Sequence, residues 1–229
     1  MLNYLVLEGV SLINLRNMAK SKKSIIDLYM NWTLEHGSAP ENIYLFCKEN
    51  KMEESDFYAE YASFKAVEKA VFSAFFQKTL EMLHANEAYQ TYAPKERLLS
   101  FYFTFFELLT ANRSYVLQSL PNSAVEFDKL SKLQDLRIHF KAYAKEIFTE
   151  YINTDVKRLE KIKSTTFQEA SWAQLLFIMR FWVKDESPSF EKTDIFIEKA
   201  INATFELADN PPLKSVIDLG KFLYKEAIS

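Results

Sequence analysis

Only three glycines and six prolines punctuate the 229 residues, and that shortage limits the fold more than any motif does. Tight β-hairpins need Asn-Gly, Asp-Gly or Gly-Gly turns, and none occurs. Long stretches without a breaker leave helices as the economical way to satisfy the backbone. The chain is 48% hydrophobic and 26% charged, a globular balance rather than a disordered one. Twenty Phe and twelve Tyr demand large buried faces. The expected fold class is all-α.

Helical spacing runs along the whole chain. Ile25, Ile26, Tyr29 and Trp32 recur on one face and stop at Gly37, a natural helix end. Pro40 and Glu41 are expected to open a second helix, with Ile43, Phe46, Cys47 and Asn50 inside. A short third helix is expected over residues 53–61. A long fourth one carries Phe64, Val67, Val71, Phe75, Met82 and Leu83 to about Asn86. Residues 98–109 are apolar nearly all round, as befits a helix in the middle of a bundle. After Pro121 a further helix holds Phe127, Leu130, Leu133, Leu136, Phe140, Tyr143 and Ile147, and the charged residues 157–163 read as a solvated end. Residues 171–184 are again apolar. Ile195, Ile197, Ala200, Ile201 and Phe205 mark another helix, and residues 213–228 form an amphipathic last one. About nine helices result, three short ones first.

Residues 23–70 carry a recognisable pattern. Glu35-His36-Gly37 closes the first helix, Phe57-Tyr58 and Tyr61 lie on the third, and Ser63 and Val67 lead the fourth. This resembles the helix-turn-helix head of the TetR family of transcriptional regulators. There a first helix ends in Glu-x-Gly, a Gly-Val-Ser turn follows, and the reading helix carries Tyr-x-x-Phe before Ser-Lys. The likeness is sharp over these residues and architectural over the rest. It implies an all-α, TetR-like chain: a three-helix head over residues 18–66 and a ligand-binding, dimerising helical bundle over 67–229. Residues 1–17 are an extension, or the true start is Met18.

Departures from the pattern fall on the residues that would meet DNA. The family's turn glycine falls on Lys51, and the neighbouring Asn50 is the residue expected to take the left-handed conformation. The serine at the reading helix's cap is Glu53, the small Gly-Thr pair falls on Ser55 and Asp56, and the lysine after Ser63 is Phe64. Between Pro40 and Ala70 seven acids (Glu41, Glu49, Glu53, Glu54, Asp56, Glu60, Glu68) face four lysines (48, 51, 65, 69), a local net charge of −3. DNA binding draws much of its affinity from neutralising phosphates. A carboxylate ~4 Å from a phosphate costs about 1 kcal/mol in water and about 4 kcal/mol at an effective dielectric near 20. Acids in the first turn also stabilise the helix dipole, which accounts for them without removing that repulsion. If DNA contact is retained, the resemblance assigns it to Lys20, Lys22, Lys23, Lys51, Ser55, Tyr58, Tyr61 and Lys65.

A second resemblance stands beside the first. The lipid-binding proteins of ubiquinone biosynthesis are built on the same fold without DNA binding, and they use a terminal amphipathic helix near membranes. Residues 213–228 suit such a role, although a last helix packed on a dimer partner has the same pattern.

Catalytic signatures are missing from the sequence: no Gly-x-Ser-x-Gly, no phosphate-binding glycine loop and no His-Glu-x-x-His. His36, His84 and His139 are scattered, and the lone Cys47 has no His or cation at a suitable spacing, so it reads as a small buried residue. Neither a metal nor a cofactor is called for, and an enzyme is not expected. Glu107, Arg113 and Arg180 interrupt apolar stretches, where a charge must be paired or reach water. The alternative is a polar anchor in a ligand pocket walled by Phe101, Phe105, Phe106, Trp172, Leu176, Met179 and Trp182, with Glu107 and Arg180 as its polar groups. The expected partners are a second copy of the chain, a hydrophobic small molecule or lipid, and DNA, against which the acidic head argues. No apolar run is long enough to span a membrane, and the expected location is cytoplasmic.

Overall fold

A computed structural model describes residues 24–120, 131–154 and 164–209. Expectations for residues 1–23 (the extension, Met18, Lys20, Lys22 and Lys23), for Pro121, Phe127 and Leu130, for 157–163 and for 213–228 lie outside the described residues. Every regular element among the described residues is helical, and the chain is all-α. It divides into two compact units between Val67 and Glu68.

The first unit holds α1 (Ile25–His36), α2 (Ile43–Glu49), α3 (Glu54–Glu60) and the start of α4 (Phe64–His84). Helix α1 opens with a capping box. The Ser24 hydroxyl accepts from the Asp27 amide (3.1 Å), and the Asp27 carboxylate accepts from the Ser24 amide (3.2 Å). It closes at Gly37, where φ is +73°. Helix α2 does not begin at Pro40 as the sequence suggested. It begins at Ile43, because the Asn42 side chain accepts from the Leu45 amide (3.0 Å) and satisfies one of the orphan donors. Pro40 is buried ahead of it. The unit is held by aromatic rings in edge contact: Phe46, Phe57 and Phe64 meet pairwise at 5.3–6.1 Å, and Tyr29 lies 5.8 Å from Phe64. Phe64, standing where the resembled pattern has lysine, is thus part of this core.

The second unit contains the rest of α4, then α5 (Pro94–Ala111), α6 (Arg113–Ser119), α7 (Gln134–Thr154), α8 (Ser164–Lys184) and α9 (Glu191–Asp209). Short 3-10 turns precede α5, α7 and α9. Helix α7 packs on α5 and α8, and α9 packs on α5 and α8. The ring of Phe101 sits where α4, α5 and α7 meet, 5.4 Å from Phe76, 5.5 Å from Phe140 and 4.9 Å from Tyr143. On its edge the Tyr89 and Tyr143 hydroxyls bond at 2.9 Å, and Tyr143 donates to the Arg97 carbonyl (3.2 Å). Arg97 in turn pairs with Glu146 and Glu150. Ile195, grouped by the sequence with the inner positions of α9, is 51% exposed. The buried stripe is Thr193, Ile197, Ile201, Phe205 and Ala208. Ile195 stands two residues from Thr193, roughly 200° around the helix.

The junction of α8 and α9 explains Arg113. Its guanidinium donates to the carbonyls of Trp182 (3.1 Å), Val183 (3.2 Å) and Asp185 (3.4 Å) and lies 4.5 Å from the Trp182 and Phe190 rings. A cation at that end satisfies carbonyls the helix leaves unpaired. The Asp185 carboxylate accepts four bonds: the amides of Ser187 and Thr193 (both 2.9 Å) and their hydroxyls (both 2.6 Å). It is thereby the cap that launches α9. Burial pushes its pKa up, but the bonds from Ser187 and Thr193 outweigh that and hold it at about 2, below the ordinary 3.8.

A carboxyl with a depressed folded pKa stabilises the fold fully above its unfolded value and ceases to as pH falls toward the folded one. Stability is therefore expected to fall between about pH 5 and pH 2 in a step that Asp185→Asn abolishes, the variant being weaker by about 2 kcal/mol at pH 7. Urea denaturation across that pH range checks both; an unchanged acid limb in the variant would refute the assignment.

Candidate functional site

The turn between α2 and α3 sets how α3 is presented. Lys51 itself takes the left-handed conformation, with φ of +54°, whereas Asn50 has φ of −87°. The expectation for Asn50 is therefore corrected by one residue. The reason is the closing geometry of α2. The Met52 amide bonds back to the Cys47 carbonyl (2.9 Å) and the Lys51 amide to the Lys48 carbonyl (3.3 Å), a pairing that needs its left-handed residue between them. Asn50 serves differently, its side-chain amide donating to the Phe46 carbonyl (2.8 Å). So the turn survives at the same place, with lysine bearing the strain that glycine would relieve.

Helix α3 buries one side chain, Phe57. Tyr58, Ser55 and the four acids Glu53, Glu54, Asp56 and Glu60 are exposed, Tyr58 by 54%. Tyr61 is half-buried, and burial followed by the neighbouring Glu60 raises its pKa. Glu53 occupies the cap position but makes no side-chain capping bond. Lys51 and Lys65 are exposed, as is Lys48 on α2. Cys47 is buried, and burial together with Glu54, Asp56 and Glu53 pushes its thiol up, which keeps it protonated and un-nucleophilic.

In the second unit the residues proposed as pocket walls, Phe101, Phe105, Phe106, Trp172, Leu176, Met179 and Trp182, are all buried. Phe101 stacks on Phe105, Phe105 meets Phe106 edge-on, and Phe106 lies 6.2 Å from Trp182. The Trp182 ring donates to the Thr110 hydroxyl (3.1 Å). Of their proposed polar groups, Glu107 is exposed and Arg180 half-buried. Partial burial raises the Glu107 pKa, and Glu107 in turn adds to burial in raising that of Asp194 on α9. Of the histidines, His139 bonds the Ser73 hydroxyl at 3.0 Å, His36 stacks on Trp32, and His84 is exposed. No group of His, Cys, Asp or Glu among the described residues is arranged to hold a metal ion. No described helix is long and apolar enough to cross a membrane.

A family model described as the C-terminal domain of tetracyclin repressor-like proteins matches residues 97–223, more than half of the chain. The chain belongs to the TetR family. No curated protein and no solved structure matches. TetR regulators are typically not enzymes. The match runs from within α5 past the end of α9, so TetR kinship of the head rests on its three-helix geometry and on the residues quoted above.

One feature of the first unit is not apparent from the helical spacing alone. Leu28, Asn31, Trp32 and Glu35 of α1, with Glu49 and Asn50 at the end of α2, line an open cleft of about 150 Å³. Tyr44 and Leu45 on α2 are also 55% and 50% exposed. The available signal was Asn31, Trp32 and Glu35 on a helix whose inner face is already supplied by Ile25 and Tyr29.

Relief of the left-handed strain at Lys51 is measurable. Lys51→Gly is expected to stabilise the head by about 1 kcal/mol, since a side chain in that conformation costs on the order of 1–2 kcal/mol and glycine's extra unfolded entropy offsets part of the gain. Amide hydrogen exchange of α2 and α3 reads this, and faster exchange in the variant would contradict the turn geometry.

Proposed function

We propose that the protein is a homodimeric TetR-like transcriptional regulator that takes a hydrophobic small molecule in its second unit and holds DNA weakly. The observation that carries this reading is α3, which presents Tyr58 outward on an intact three-helix head amid exposed Glu53, Glu54, Asp56 and Glu60. Contact with a duplex would fall to Tyr58, Tyr61, Ser55, Lys51 and Lys65, helped by Lys20, Lys22 and Lys23. Two or three carboxylates near phosphates offset what those few lysines gain. Small-molecule binding would draw on the apolar walls around Phe105, Phe106, Trp172 and Met179, with Arg180 as the polar group. A ligand there would act on the head through α4, whose residues belong to both units.

A second copy would cover an exposed apolar face of α8 and α9. Phe177 is 59% exposed and Phe181 is exposed, each packs on Phe196 (5.6 and 4.9 Å), and exposed Ile195 directly precedes Phe196. Apolar groups of this size left in water favour a partner.

A second reading is favoured by the same acids: a relative of the TetR regulators that binds a lipid or a protein and no DNA. A salt titration against promoter duplex separates the two. For the regulator, binding is sequence-selective and falls with salt, and Glu53→Gln with Glu54→Gln and Asp56→Asn tightens it by roughly tenfold or more. Absence of any shift at low salt, with lipid found by mass spectrometry of the purified protein, decides for the second reading.

A further inference from the structure

The cleft between α1 and α2 is chemically one-sided. Its lining combines two carboxylates (Glu35, Glu49), two side-chain amides (Asn31, Asn50) and the Trp32 indole, with Leu28 as the apolar contributor and no lysine or arginine. Trp32 is fixed in place. It lies 5.7 Å from Phe46, and His36 stacks on it at 4.1 Å while its Nδ1–H donates to the Trp32 carbonyl (3.1 Å). Among the described residues Glu35 has no cationic partner, and Glu49 has only His36, at 3.9 Å. Such a lining favours a planar cation, because a guanidinium pairs with carboxylates in a fork and stacks on an aromatic ring, whereas an ammonium does neither as well.

We infer that this cleft seats an arginine side chain from a basic segment of a partner protein. Charge complementarity extends beyond the cleft. Glu53, Glu54, Asp56 and Glu60 of the same unit are exposed, so the unit's outer surface attracts a basic segment and repels a polyanion. Exposed Tyr44 and Leu45 supply apolar contact area for a protein partner. The cleft's free volume of about 150 Å³ suits a single side chain, with the partner's backbone outside it. This inference does not rest on the regulator reading, and its test uses no promoter.

The test is fluorescence anisotropy of the full chain with a labelled oligoarginine peptide, oligolysine of the same length as control, and a labelled random-sequence duplex titrated separately. Two double variants are compared, Glu35→Gln with Glu49→Gln and Glu53→Gln with Glu54→Gln. All four side chains are exposed, so both variants are expected to melt as the wild type does. The arginine peptide is expected to bind more tightly than the lysine peptide. Loss of Glu35 and Glu49 should weaken arginine binding by roughly tenfold and erase the preference over lysine, while the α3 pair should cost about threefold or less. Equal losses from both pairs would assign the attraction to diffuse charge and overturn the site. So would equal binding of the two peptides, no peptide binding at low salt, or tighter binding of the duplex than of the arginine peptide.

Discussion

The second unit depends on one aromatic junction. Phe101 is fully buried and touches rings from three helices: Phe76 of α4, its own neighbours Tyr102 and Phe105 on α5, and Phe140 and Tyr143 of α7. Each such pair contributes about 0.5–1.5 kcal/mol beyond its buried area. The rings also set the distance and rotation of the three helices, since edge-to-face and stacked geometries are few. The polar network of Tyr89, Tyr143 and Arg97 exists because of that junction. Packing of the Tyr143 ring carries its hydroxyl into the interior, where burial keeps it protonated, and Tyr89 and the Arg97 carbonyl complete its hydrogen bonds. A chain with so few glycines has little freedom to relax such a junction, so the aromatic content and the breaker shortage are two sides of one design.

Arg113 shows how a charge in an apolar stretch is resolved without a ligand. Its guanidinium is spent on the end of α8, bonded to three carbonyls and sandwiched against Trp182 and Phe190. Burial lowers its pKa, and the nearby Asp185 works against that. The same residue cannot also meet a ligand's acid group. Glu107 takes the other route open to a misplaced charge and reaches water. Both outcomes follow from the cost of an unpaired buried ion, and the sequence already gave that cost as a reason to watch these positions.

What was legible in the chain was periodicity, and what was not was closure. The helical class, the Gly37 stop and the buried Phe46 and Phe57 follow from spacing alone, because a stripe of apolar residues has one way to be hidden. Helix ends follow from competition among neighbouring groups, which spacing does not rank. Asn42 outcompeted Pro40 because a side-chain acceptor satisfies a donor and a proline ring cannot. Lys51 took the left-handed angle because the amide-to-carbonyl pairing of the α2 end fixes which residue must turn, whatever its type. Helix α6 was hidden behind the break at Pro121, being too short for a period to show. The cleft between α1 and α2 was illegible for a different reason. It is a property of two helices at once: Asn31, Trp32 and Glu35 stand out on α1, but spacing does not bring Glu49 and Asn50 of α2 to the same cleft.

The head separates what holds its fold from what sets its partner. Phe46, Phe57, Phe64 and Tyr29 make the ring contacts that fix three helices, and none of them is an exposed position. Glu53, Glu54 and Glu60 are exposed and make none of those ring contacts, so a change of charge there leaves the rings in place. Replacing lysine with Phe64 moves the two properties in opposite directions: the core gains a ring and the surface loses a cation. Charge on the outer face of α3 can thus change while the ring contacts that hold the three helices remain. Fold kinship with DNA-binding proteins therefore constrains the shape of this surface and leaves its sign to be read from the side chains themselves.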